Sequence, residues 1–210
     1  TPKPSSAASD VYKRQIFMCK QYEHTIAITN RTLVQGDFLE QMQKVIHLHP
    51  HAVILREKGL SDEEYKMLAE KILEMCSKSG VRCFLHSRIS VAHSLGCRRI
   101  HISIPVLKDM SEEERRQLRK DFQEISVSCH SMEDMNIAVK NGATQIILGT
   151  IFETECKKGL KGKGLEFVRE ICKVCPVPVY AIGGINLERL QQVMDVGAAG
   201  GCMMSGFMRI

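Results

Sequence analysis

The chain has 210 residues, 44% of them hydrophobic and 25% charged, with a formal net charge of +5 at neutral pH. That length supports one domain with a full core, and no apolar run is long enough to span a membrane. The charge is too mild to imply nucleic acid without a concentrated basic face, and with no Trp and only 5% aromatic residues there is no base-stacking platform.

In chain order, TPKPSSAASDVYKRQ comes first. It is polar and unpatterned, unlike a secretory signal. Its end, Asp10 to Gln15, resembles a translated sequencing-library adapter. Residues 1–15 are therefore expected to be a non-native or disordered leader, and residues 16–210 a single domain. Strands are expected at His24–Thr29, Ala52–Arg56, Arg82–His86, Arg99–Ser103, Ser126–Cys129, Gln145–Gly149, Val177–Ile182 and Gly200–Ser205. Helix starts lie between them. Ser61–Glu64 and Ser111–Glu114 have the capping-box pattern, Ser131 is followed by Asp134, and Asn186 precedes the last periodic stretch. Gly142 and Gly197 sit where helices should stop.

Strands alternating with helices fit a (β/α)₈ TIM barrel or an open doubly wound sheet. The count of eight strands, and the lack of a glycine-rich dinucleotide fingerprint after the first, favour the barrel. A final helix is expected to be missing or to lie beyond Ile210. The barrel edge this leaves uncovered would expose apolar surface, so a homodimer is an expectation. Nine cysteines, an odd number, are scattered through apparent core segments, which suits a reduced, cytoplasmic protein.

In a barrel, chemistry belongs at the C-terminal strand ends. Strand two ends in Arg56-Glu57-Lys58, two cations around a carboxylate that would fix them as an anion site; a solvated loop opening is the competing reading. Strand five ends in Ser128-Cys129-His130, which puts an imidazole at a helix start, where it is suited to proton transfer or simply to capping. Strand six opens into FETECKKGLKGKG, residues 152–164. This stretch offers Thr154, Lys157 and further lysines, either as a cover over a ligand or as a charged surface loop. Strand seven ends in Gly183-Gly184 and strand eight in Met204-Ser205, both small-residue loops where barrels commonly hold phosphate. His47, His49 and His51 precede strand two, at the face devoted to stability, so no metal is expected there. Cys172 and Cys175 have CxxC spacing without a second pair, and Cys156 is expected to be an exposed thiol.

Together LREK, FETECKKG and AIGGIN resemble the thiamine-phosphate synthase superfamily over residues 24–207. VSCHS followed by GTIFETECKKGLKGKG is similar to its TenI-like branch, the thiazole tautomerases, whereas the synthase branch typically reads Pro-Thr-x-Thr-Lys in the second segment. The resemblance implies a (β/α)₈ barrel acting on a thiazole phosphate in thiamine biosynthesis. It implies His130 as acid–base catalyst, and a phosphate held around Gly183, Gly184, Met204 and Ser205. Arg56, Lys58, Ser128 and Lys157, with Thr154 nearby, would contact the rest of the substrate where a synthase binds pyrophosphate. The synthase pattern also carries Asn-Asp after strand three and Asp after strand four, the two aspartates serving Mg²⁺. Here those places read His86-Ser87 and Val106. A hard cation needs oxygen ligands, so a tautomerase without metal or organic cofactor is expected. The alternatives are a thiamine-phosphate synthase using Mg²⁺ and a non-catalytic regulator that binds a phosphorylated metabolite.

Overall fold

Eight short runs rich in Ile, Val and Leu form the strands of a computed structural model that describes residues 20–154, 159 and 161–210. The strands are β1 (Thr25–Ile28), β2 (Ala52–Leu55), β3 (Arg82–His86), β4 (Arg99–Ser103), β5 (Glu124–Cys129), β6 (Gln145–Gly149), β7 (Val179–Ile182) and β8 (Gly200–Met203). Each pairs in parallel with its sequence neighbours, and β1 closes on β8 with Ile26 opposite Cys202. The result is a closed (β/α)₈ barrel, with β5 starting two residues earlier and β7 two residues later than the sequence suggests. The leader expected at residues 1–15 lies outside the described residues.

The described helices are α1 (Phe38–His47), α2 (Asp62–Lys78), α3 (Ile89–Ser94), α4 (Ile104–Asp109), α5 (Glu112–Asp121), α6 (Met132–Lys140), α7 (Gly164–Val174), α8 (Leu187–Asp195) and α9 (Ser205–Met208). The expected start signals act as local physics requires. Ser61 and Glu64 close a reciprocal capping box on α2, as do Ser111 and Glu114 on α5, satisfying helix-end N–H groups that otherwise lack partners. Ser131 caps α6 and Asn186 caps α8. Gly142 and Gly197 follow their helices at φ 87° and 108°.

One expectation needs correction. After β4 there are two helices, because Pro105 sits in the first turn of the six-residue α4, where its fixed φ and missing N–H are harmless. After β8 only the short four-residue α9 follows among the described residues, with Phe207 and Met208 fully buried. Gln41 of α1 donates to the Phe207 carbonyl at 2.7 Å, which ties this last turn to the first helix.

Alternation along the strands splits the core in two. One set packs against the helices. The other, including Ile26, Ile54, Phe84, Ile147 and Tyr180, fills the barrel lumen. Following each lumen-facing series upward gives the floor of a cavity: Ile54 then Arg56 on β2, Phe84 then His86 on β3, and Ser126 then Ser128 on β5. At the opposite end, His51 ring nitrogens lie 2.8 Å from the Tyr180 hydroxyl and 2.8 Å from Arg82, consistent with the expectation that this face serves stability.

Candidate active site

The C-terminal strand ends enclose a cavity of about 320 Å³, in the range of small-molecule sites. Into it project Arg56 and Lys58 from the end of β2, Ser128 and His130 from β5, and Thr154 from beyond β6. Gly183 and Gly184 after β7, and Met204 and Ser205 after β8, form the rest of the rim. Nine of the ten site residues read from the sequence therefore face one space; the tenth, Lys157, lies outside the described residues, as does Cys156.

The β2 end is set by Glu57. The residue is 6% exposed and does not line the cavity. It accepts from the Thr29 hydroxyl at 2.6 Å and from the Arg31 backbone N–H at 3.1 and 3.2 Å, while the Arg56 N–H donates to Thr29 Oγ1 at 2.9 Å. The carboxylate between the two cations thus anchors the loop, and Arg56 and Lys58 point where a ligand would lie. Next to them, the buried Tyr65 of α2 donates to the Leu55 carbonyl at 2.6 Å and accepts from the His86 N–H at 3.0 Å, locking the ends of β2 and β3 together.

His130 is held on both sides. Its backbone N–H donates to Asp134 at 2.8 Å in the first turn of α6. Its Nδ1 lies 2.8 Å from the Gly149 carbonyl. A carbonyl only accepts, so Nδ1 carries the proton and a neutral ring keeps its lone pair on Nε2. A base of fixed orientation at the rim is the chemical result.

The two glycines after β7 have φ 104° and 63°. A Cβ on Gly183 would overlap the Thr150 side chain, and one on Gly184 would meet the Glu153 carbonyl oxygen at 2.8 Å. Packing alone therefore requires glycine at both positions. Arg189 reinforces the junction, donating to the Gly184 carbonyl at 2.8 Å and lying 4.8 Å from the Phe152 ring centre. The long segment after β6 is closed at its base, where the Lys163 N–H donates to the Thr150 carbonyl at 2.9 Å and the Lys163 ammonium contacts the His130 carbonyl.

Sequence reading missed part of the floor. His86, noted only as a departure from a family pattern, and His101, not noted at all, line the cavity with ring centres 5.5 Å apart. Burial, and then the charges of Arg56 and Lys58, lower the His86 pKa to about 4. Burial lowers that of His101 to about 3, with His86 and Arg56 adding to the effect. Both rings are neutral near pH 7. Ser103 and Thr150 also line the space. Their signal was available, since each lies at a strand end, but neither residue type stands out by itself.

Residues 25–207 match the family described as thiamine monophosphate synthase, TMP-TENI. The chain belongs to this family. It is thereby placed among the enzymes of thiamine biosynthesis. It is 28% identical over 191 residues to a thiamine-phosphate synthase of Fusobacterium nucleatum, covering 90% of this chain and 89% of that relative. It is 29% identical over 182 residues to a putative thiamine-phosphate synthase 2 of Aquifex aeolicus, covering 87% and 96%. The fold matches a thiamine phosphate pyrophosphorylase structure from Pyrococcus furiosus with a TM-score of 0.76 at 24% identity, covering 90% and 89%.

The Mg²⁺ that the family's synthases imply does not fit the donor set that the described residues offer. No carboxylate is among the described residues lining the cavity, and Glu57 is committed to Thr29 and Arg31. The place aligned with a metal-binding aspartate, Val106, lies within α4 and does not line the cavity. Among the described residues no group of three or more His, Cys, Asp or Glu is arranged to hold a metal, and no helix is long and apolar enough to cross a membrane.

Proposed function

We propose that this member of the family is a thiazole tautomerase, converting a carboxylated dihydrothiazole phosphate to its aromatic tautomer. One observation carries the reading: a rim imidazole whose tautomer is fixed by the Gly149 carbonyl, in a cavity whose described lining has cations and hydroxyls but no carboxylate. His130 Nε2 takes the proton from ring carbon C2. The electron pair of that C–H bond enters the ring and completes its aromatic system, and the imidazolium returns a proton to the exocyclic carbon. One base that becomes an acid suffices for this step. Arg56, Lys58, Ser128 and Thr154 hold the carboxylate and ring edge, and backbone N–H groups around Gly183, Gly184, Met204 and Ser205 hold the phosphate. Fixing both ends keeps the reacting carbon at the imidazole.

His130→Ala is expected to slow conversion by about 10²–10⁴-fold while thiazole phosphate still binds by calorimetry; unchanged turnover would end the assignment. A second reading, thiamine-phosphate synthase, is favoured by the names of the relatives and of the family. Incubation with thiazole phosphate, hydroxymethylpyrimidine diphosphate and Mg²⁺ separates the two. Release of thiamine phosphate at an enzymatic rate would establish the synthase.

A further inference from the structure

Behind Ser128 lies a polar chain that no catalytic step uses. His101 is buried in the lumen, with Nδ1 2.8 Å from Ser126 Oγ and Nε2 2.8 Å from Ser128 Oγ. Ser126 is fully buried, and among the described residues its side chain hydrogen-bonds to His101 alone. Two arrangements are possible for a neutral ring. If Nδ1 carried the proton, it would donate to Ser126, and the Ser126 O–H would be stranded without an acceptor. If Nε2 carries it, the Ser126 O–H donates to Nδ1 and only lone pairs go unused. A stranded buried O–H is the costlier fault. Nε2–H then donates to Ser128 Oγ, so the Ser128 hydrogen has to point elsewhere. Ser128 lines the same cavity as Arg56 and Lys58.

We infer that Ser126 and His101 are positioning residues that turn the Ser128 O–H away from the barrel interior, so that Ser128 presents a hydroxyl donor to the cavity and favours a ligand oxygen that accepts, such as a carboxylate. The direction of the hydroxyl follows from the buried chain alone. The identity of the ligand rests on the tautomerase reading. The same chain explains how the barrel interior tolerates these polar side chains: the Ser126 O–H and the His101 Nε2–H each have an acceptor, and the Ser128 O–H lies at the cavity.

The first test needs no ligand. Imidazole ¹⁵N shifts of wild-type protein should show His101 protonated on Nε2; protonation on Nδ1 would overturn the inference. The second compares Kd for thiazole phosphate with and without its ring carboxylate, using Ser128→Ala, Ser126→Ala and the double variant. Ser128→Ala should weaken the carboxylated ligand about tenfold, the scale of one hydrogen bond to a charged group, and leave the other ligand unchanged. Ser126→Ala should weaken the carboxylated ligand by a smaller factor and add nothing in the Ser128→Ala background, as expected of residues acting through one another. Equal losses for both ligands, or additive losses in the double variant, would reduce Ser126 to a packing residue. If wild-type protein binds neither thiazole phosphate, the tautomerase reading falls, and the ¹⁵N shifts still decide the hydroxyl's direction.

Discussion

Glu57 and His130 show how single residues at strand ends divide the work. Glu57 sits in the charged triplet after β2, yet its carboxylate binds Thr29 and Arg31 and does not line the cavity, while the cations on either side do. Replacing it with Ala strands a buried hydroxyl and a backbone N–H. The expected cost is about 2–4 kcal/mol of stability, together with weaker binding of anionic ligands because Arg56 and Lys58 lose their footing. Urea unfolding and calorimetry with thiazole phosphate measure the two effects. If affinity survives when stability drops, Glu57 anchors the fold but does not set the cations. Both residues were legible from sequence, because strand ends are where a barrel exposes side chains and their residue types are distinctive. His101 was not. Its partners lie 25 and 27 residues away and meet it only when β4 and β5 pair, and a lone His within RIHIS carries no local sign of that meeting.

Elements were read most reliably where their signals are local. Capping boxes, N-cap side chains and stop glycines act within a few residues, so the starts of α2, α5, α6 and α8 were visible in the sequence. The helix α4 was hidden because its six residues, IPVLKD, are too few for periodicity and contain a proline. The short α9 was hidden for the same reason of length. Loop packing was hidden too. Gly183 and Gly184 were read as letting the backbone approach an anion; their positive φ and contacts with Thr150 and Glu153 add that the β6 and β7 ends pack too closely for a side chain. Arg189 is the strap across that junction. Arg189→Ala removes one hydrogen bond and one cation–ring contact at a partly exposed site, a stability cost of about 1 kcal/mol. Its larger expected effect is on the ligand, with Kd for thiazole phosphate raised several-fold as the glycine loop loosens. Unchanged affinity would show that the loop holds its shape through the glycines alone.

At the scale of the whole barrel, its axis is studded with imidazoles: His51 near the N-terminal mouth, His101 in the lumen, and His86 at the cavity floor. Burial is the main cause lowering all three, His51 and His86 to about 4 and His101 to about 3, from an ordinary 6.5. Because the folded values are depressed, the unfolded chain binds protons first as pH falls. Stability from these groups is complete above pH 6.5, is lost as pH falls below it, and levels off only near pH 3–4. His101 is the cleanest case, being 4% exposed. At pH 4.5 its share of the loss is on the order of 2–3 kcal/mol, with smaller shares from the two less buried rings. His101→Gln isolates that share. A glutamine can accept from Ser126 through Oε1 and donate to Ser128 through Nε2, so the hydrogen-bonded chain persists without a group that titrates in this range. Urea unfolding free energies measured from pH 7 to 4.5 should fall less steeply for His101→Gln than for wild type, by the equivalent of about one proton. Carboxylates titrating in the same interval contribute alike to both proteins and cancel in the difference. Parallel curves would mean that the imidazole protonates within the folded barrel without loss, and that the lumen is not the neutral, closed environment its hydrogen bonds describe.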